Sequence, residues 1–218
     1  LGAFAGEWTE AVERDFNHPS IITWCPLNET WCSLYDDKKV RDVRFVDAIY
    51  ALTKVLDKTR PCLDVSGGYH GHKTDVYDYH DYGAPEDFER HIKEIETEDK
   101  MEIPALYAPD FAGEGDLRYK KGLPINVSEY GGIIYDASTE NGWGYTKCGS
   151  EEDFIARYAR LTQAALSADK ISGFCYTQLY DVEQEQNGLY TYERKDKFSA
   201  EGIKKIAECN KTIAAIEK

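Results

Sequence analysis

The sequence predicts an α/β fold, in which short strands alternate with helices to build a parallel sheet covered on its faces. Three observations predict it. Short apolar or β-branched runs, such as Ile21-Ile22-Thr23-Trp24-Cys25, recur along the 218 residues. Between them, apolar residues repeat at helical spacing. Glycine and proline punctuate the joins. Such alternation has two common outcomes, a doubly wound sheet and a (β/α)8 barrel. No GxGxxG or GxxxxGK[ST] motif occurs, so the nucleotide-binding versions of the first lose their strongest signal.

Taken in order, Thr9 is expected to cap a short helix carrying Val12 and Phe16 at i, i+4, ended by His18-Pro19. Residues 21–25 form the first predicted strand. Val43, Val46, Ile49, Tyr50 and Leu56 recur at helical spacing until Pro61 breaks the pattern. Residues 62–66 read as a second strand ended by Gly67-Gly68, and 76–80 as a third. Residues 85–99 form a charged helix, and 100–121 a long loop. Residues 124–128 form a short fourth strand, ended by Gly131-Gly132 and followed by a Gly/Tyr/Trp-rich loop to Gly149. Ser150-Glu151-Glu152-Asp153 resembles a capping box and opens a helix with Phe154, Tyr158, Leu161 and Ala165 on one face. Residues 171–177 form the fifth strand, and Ile203, Ile206, Ile213 and Ile216 mark a closing helix. With no repeat, low-complexity tract or linker, residues 1–218 are expected to form a single domain.

Composition narrows the function. The 26 Lys+Arg against 40 Asp+Glu give a net charge of -14, which repels phosphate backbones and anionic lipid, so neither nucleic acid nor a membrane is an expected partner. No apolar run reaches 18 residues, and the mean hydropathy is -0.59. The 16 Tyr suit a tyrosine-lined cleft for a sugar, although half-buried packing is the commoner use of tyrosine. The chain opens at Leu1 without Met or a leader pattern, so its beginning is expected to be cut and its address is not written at that end. The six Cys form no CxxC and no zinc-finger grouping. Reduced thiols are expected, and with them a cytoplasmic address, export remaining open.

In a barrel, chemistry sits where strands end and βα loops begin. There the first strand ends in Asn28-Glu29-Thr30-Trp31 and the fourth in Ser128-Glu129-Tyr130-Gly131-Gly132. Each brings one carboxylate to the same sheet edge, and two carboxylates flanking a cleft are the usual apparatus of glycoside hydrolysis. His80 follows the third strand, and Tyr176, Gln178 and Asp181 follow the fifth. A lone strand-end Glu is more often a solvated loop residue or a helix cap; two of them, each among Asn, Trp, Tyr or Gly, strengthen the chemical reading.

Arg14-Asp15-Phe16-Asn17-His18-Pro19-Ser20-Ile21-Ile22-Thr23-Trp24 followed by Asn28-Glu29 resembles family 2 glycoside hydrolases, the β-galactosidase group. So do Pro124-Ile125-Asn126-Val127-Ser128-Glu129-Tyr130-Gly131-Gly132, and the stretch from Gly173 through Asp181-Val182-Glu183-Gln184-Glu185 to Asn187-Gly188-Leu189-Tyr190. The resemblance implies a partial (β/α)8 TIM barrel, strands four to eight with their helices, and a retaining, exo-acting β-glycosidase, a β-galactosidase first. An inactive carbohydrate-binding fragment, a β-mannosidase and a β-glucuronidase are the alternatives. It implies Glu29 as acid/base, Glu129 as nucleophile and Asn28 at the sugar 2-hydroxyl. His80, or Tyr79 beside it, matches a side chain near the nucleophile. Tyr176 and Gln178 stand where many members carry a tryptophan under the sugar, and Trp31 joins the expected substrate contacts. The Asn-x-Lys signature of glucuronidases does not follow the fifth strand, which lowers the odds of a uronic acid. The expected partner is a β-linked carbohydrate, with no cofactor and no metal. With the first three strands missing, exposed sheet edges could pair copies of the chain, and the chain alone is expected to be poorly active.

Smaller signals are weaker. His70-Gly71-His72 lacks a third ligand nearby and reads as a loop pair. Asn28-Glu29-Thr30, Asn126-Val127-Ser128 and Asn210-Lys211-Thr212 fit the glycosylation sequon, the first two within site strands, where chance is the better account. No GxSxG elbow accompanies Ser66 or Ser128.

Overall fold

The computed structural model describes residues 1–30, 43–68, 70–98, 122–135 and 141–218. Its elements are α1 (Gly2–Asp15), α2 (Val43–Leu56), β1 (Tyr77–Asp81), α3 (Pro85–Glu98), β2 (Ile125–Gly131), β3 (Ile133–Ile134), β4 (Thr146–Lys147), α4 (Glu151–Leu166), β5 (Ile171–Thr177) and α5 (Ala200–Asn210). They fall into two compact units. The first holds the described residues up to Tyr79 and from 122 to 126, the second those from His80 to 98 and from Val127 onward. The chain therefore passes between units within β1 and within β2. β1, β2 and β5 form a sheet in that order, joined through α3 and then α4. A strand order that follows chain order through crossover helices is that of a barrel wall, whereas a doubly wound sheet reverses at a switch point. Among the described residues the wall is partial and closes no barrel.

In the first unit, α1 begins well before Thr9. The Thr9 hydroxyl lies inside the helix and donates back to the Ala5 carbonyl at 2.8 Å, so it caps nothing. The residues before it, with Ala3, Phe4 and Ala5 among them, already continue the helix. Trp8 Nε1 donates to Thr53 Oγ1 at 2.8 Å and Phe4 meets Phe45 edge-on, which ties α1 to α2. α2 buries Val43, Val46, Ile49 and Thr53. The first two predicted strands are no regular ladder. They meet only as isolated parallel bridges, Trp24 with Cys62 and Asn28 with Ser66. Pro26 and Pro61 explain this, because each removes a backbone N–H from the run. Asp57, 1% exposed, anchors this segment by accepting from Trp24 Nε1 at 2.9 Å, Arg60 Nη1 at 2.7 Å and the Thr59 backbone at 2.8 Å.

In the second unit, Ser150 caps α4 by accepting from the Asp153 N–H at 3.1 Å, and Phe154, Tyr158, Leu161 and Ala165 are buried. Arg160 joins α4 to α3 through Glu89 and Glu86. α3 carries no basic residue in its last turn. Lys170, just before β5, takes that place, its ammonium donating to the Ile95 and Glu96 carbonyls at 2.8 and 3.0 Å. Tyr130 of β2 packs against Phe88 and Phe174, and its hydroxyl meets Thr162 Oγ1 at 2.7 Å. The closing helix is shorter than predicted. α5 stops at Asn210, whose side chain accepts from the Tyr158 hydroxyl at 2.9 Å, and the backbone tightens to i→i+3 bonds at Lys211 and Thr212. Ile213 and Ile216 are left exposed beyond it. Cys25, Cys62, Cys148, Cys175 and Cys209 carry free thiols; Cys32 lies outside the described residues. No helix among the described residues is long and apolar enough to cross a membrane.

Candidate active site

Each expected carboxylate is held in its own unit. In the first, Ser66 N–H donates to the Leu27 carbonyl and Glu29 N–H to the Ser66 carbonyl, both at 2.9 Å, which fixes the backbone on either side of Asn28. Glu29 adopts φ +45°, a left-handed conformation unusual for a residue with a Cβ. Such conformations persist where the surroundings hold them, and they cluster at functional sites. The surroundings are visible here. A Cβ on Gly68 would stand 2.6 Å from the Thr30 nitrogen, so only glycine lets the 66–68 turn lie against the segment that carries Glu29. Behind this turn lies a buried polar network. Asp78 accepts from the Gly67 N–H at 2.8 Å and from Asn126 Nδ2 at 2.6 Å. His70 pairs with Asp64 at 2.7 Å through Nδ1 and meets the Asp78 carbonyl at 2.9 Å through Nε2. Burial opposes ionisation of Asp64, but the His70 and Gly71 hydrogen bonds outweigh it and hold its carboxyl below the usual carboxylate range. His72 turns elsewhere, to Asp47 at 2.6 Å. Glu29 is half-buried and Asn28 exposed; Trp31 lies outside the described residues.

In the second unit, Glu129 sits on β2 with two partners from the end of β1. The Tyr82 hydroxyl donates to Glu129 Oε2, and His80 Nδ1 lies 3.3 Å from the same oxygen. Residues two apart on a strand share a face, so His80 and Tyr82 arrive together. Tyr79 falls on the other face and is buried against Tyr77, ring centroids 6.2 Å apart. The aligned side chain near Glu129 is therefore His80. Burial, and then the hydrogen bond to Glu129, push the Tyr82 hydroxyl well above its ordinary value, a bond with Thr177 opposing them. Tyr82 thus remains a neutral donor throughout the working pH range.

The Gly-Gly pair after Tyr130 is required by the packing around this carboxylate. Gly131 has φ +89° and Gly132 φ +56°. A Cβ on Gly132 would lie 2.5 Å from Tyr145 Cδ2 and 2.9 Å from Tyr82 Cδ1, and one on Gly131 would collide with the Tyr176 ring. Tyr145 stacks flat on Tyr82, centroids 3.5 Å apart at an interplanar angle of 1°. Tyr176 stands among Tyr130, Phe154 and Tyr158, its hydroxyl accepting from Ile133 N–H at 3.3 Å and donating to the Asn187 carbonyl at 3.2 Å. Gln178 Nε2 donates to Asn187 Oδ1 at 2.8 Å. Asp181 is buried beneath this loop, paired with Lys197 at 2.9 Å and accepting from Gly188 N–H.

Tyr82, Tyr145, Asp78 and His70 were not singled out as site residues from the sequence. Tyr82 had a signal, since His80 and Tyr82 repeat at period two in Tyr77-Asp78-Tyr79-His80-Asp81-Tyr82. Tyr145 had none, because its stacking partner is 63 residues upstream.

Glu129 is thus a carboxylate held at one oxygen by a hydroxyl and an imidazole, on a strand whose place in the sheet matches a barrel wall. The comparisons agree with this architecture. The chain is similar to a β-galactosidase of Pseudoalteromonas haloplanktis, 36% identical over 75 residues that make up 34% of this chain and 6% of that protein. A β-galactosidase of Alteromonas mediterranea is 37% identical over 75 residues, with the same coverage. Among solved structures, a β-D-glucuronidase from Dictyoglomus thermophilum superposes with a TM-score of 0.65 at 18% identity, covering 99% of this chain and 36% of that one. A β-galacturonidase from Eisenbergiella tayi gives 0.60 at 19% identity, covering 94% and 36%. At such identities these structures share the fold, and this chain spans about a third of their length. Residues 2–145 match the model of the glycosyl hydrolases family 2 TIM barrel domain, and the chain belongs to that family.

Proposed function

We propose that this chain carries the two catalytic carboxylates of a retaining, exo-acting β-galactosidase, with Glu129 as nucleophile and Glu29 as acid/base. The observation that carries the reading is the grip of Tyr82 and His80 on one oxygen of Glu129, at a strand end of a family 2 barrel domain. Glu129 attacks the anomeric carbon as the glycosidic C–O bond breaks, and Glu29 gives its proton to the departing oxygen. A water then attacks the same carbon, passes a proton back to Glu29 and frees Glu129, so configuration is retained. Glycosylation removes the Glu129 charge, which favours Glu29 as base in the second step. The choice of galactose draws on the β-galactosidases among the curated relatives.

The test is a panel of β-galactosides and β-glucuronides, as aryl glycosides and disaccharides, given to the complete enzyme that carries this chain. Glu129→Gln is expected to abolish turnover. Glu29→Gln is expected to spare activated aryl glycosides far more than disaccharides, because a good leaving group needs little protonation. Equal losses on both substrate types would contradict the separate roles, and cleavage confined to glucuronides would overturn the galactose assignment.

A further inference from the structure

We infer that Trp143 is a sugar platform on the leaving-group side of the site, where the pyranose ring beyond the scissile bond stacks. The inference rests on the glycosidase reading and on Glu129 as nucleophile. Three aromatic rings lead outward from that carboxylate within one compact unit. Tyr82 donates to Glu129; Tyr145 stacks on Tyr82; Trp143 meets Tyr145 edge-to-face, with centroids 5.7 Å apart at 72°. Exposure rises along the series, from 6% at Tyr82 to 46% at Trp143. An edge-to-face contact on one neighbour leaves at least one indole face outside it.

The backbone holds Trp143 in place. Its N–H donates to the Gln184 carbonyl, and Gln186 N–H donates to its carbonyl, both at 2.8 Å. Gly144 passes so close to β3 that a Cβ there would lie 2.9 Å from Ile134 Cβ. A half-exposed indole on a backbone fixed at both its N–H and its carbonyl, with Tyr145 against it, has few ways to turn and is a largely preorganised contact. The same loop supplies polar groups at the rim. Glu185 pairs with Trp143 in a backbone bridge, and its carboxylate accepts from Asn187 Nδ2 at 3.1 Å, leaving lone pairs for a hydroxyl. Val182, bonded to Glu185, lines a depression of about 510 Å³ with Tyr180, Tyr192, Glu193 and Arg194, in which a longer glycan can continue.

A pyranose has an apolar C–H face edged by hydroxyls, and it matches an aromatic face edged by carboxylate and amide groups. An aryl aglycone would use the indole and leave the rim idle.

The test compares kcat/KM for the β-linked disaccharide with that for the methyl β-glycoside of the sugar accepted in the panel, in wild type, Trp143→Ala and Trp143→Phe. The ratio is expected to fall about tenfold in Trp143→Ala, mainly through KM, and to recover in Trp143→Phe, as suits one aromatic contact. Should Trp143→Ala fail to fold, Trp143→Leu keeps the bulk without the aromatic face and serves the same comparison. An unchanged ratio in an active enzyme overturns the platform and leaves the glycosidase reading standing. A loss seen on the p-nitrophenyl glycoside but not on the disaccharide makes the occupant an aryl group and overturns the sugar assignment. A wild type that cleaves no glycoside sinks the glycosidase reading, and this inference with it.

Discussion

Tyr82→Phe isolates the hydroxyl that holds Glu129. The ring is retained, stacked at 3.5 Å on Tyr145 and edge-on to His80 at 6.3 Å, so the substitution deletes one oxygen from a packed site. A hydrogen bond to a charged group contributes about 1.5–3 kcal/mol. If that contribution orients the carboxylate for attack, its loss lowers kcat/KM by roughly ten- to hundredfold. His80 still lies 3.3 Å from the same oxygen, so the lower end of that range is expected. The assay is kcat/KM for a dinitrophenyl β-galactoside, which reports the glycosylation step and whose leaving group needs no proton from Glu29 there, beside a thermal melt. A Tyr82→Phe enzyme within about twofold of wild type would refute the idea that this hydroxyl positions the nucleophile.

Gly132→Ala is expected to lower both stability and turnover, because the new methyl lands on the Tyr82–Tyr145 stack and the residue must keep φ +56°; a melt and kinetics identical to wild type would contradict that packing. Asp57 gives a pH-dependent prediction. Burial opposes its ionisation, but the hydrogen bonds from Thr59, Trp24 and Arg60 prevail and hold its carboxyl well below the ordinary range. A depressed value in the fold means a stabilisation present above the unfolded value of about 4 and lost as pH falls below it. Asp57→Asn should therefore start about 3 kcal/mol less stable at pH 7 and lose less on acidification to pH 3. Parallel urea midpoints for both proteins at the two pH values would rule this out.

Much of the fold is legible in the sequence alone. Strand-helix alternation named the crossovers, and Ser150 announced the start of α4, because a cap and an apolar face are local signals. The two Glu stood out for their position at predicted strand ends. Other features depend on distant contacts. Pro26 and Pro61 were present in the sequence, yet their cost appeared only once the segments were seen to face each other, with bridges where strands were expected. Gly131 read as a stop but lies inside β2, since its positive φ is tolerated and a Tyr176 ring fills the space of its missing side chain. Tyr79 and His80 were interchangeable by alignment, and strand pleating separates them. The Asp78 network joins residues up to 48 apart, beyond the reach of any periodicity.

Lys170 bonds the last carbonyls of α3 while standing at the threshold of β5, 74 and 75 residues along the chain. Its own N–H also donates to the Glu96 side chain at 2.9 Å. The end of a helix and the start of a strand thus share one set of hydrogen bonds, and neither can fray alone. In native-state hydrogen exchange, amides of the last turn of α3 should open together with those at the beginning of β5, as one cooperative segment. Lys170→Met would uncouple them, letting the helix end exchange early while the strand keeps its protection. Because β5 is the strand that follows β2 in the sheet, the firmness of the wall beside Glu129 then depends on an ammonium group at the opposite end of the strand from the chemistry.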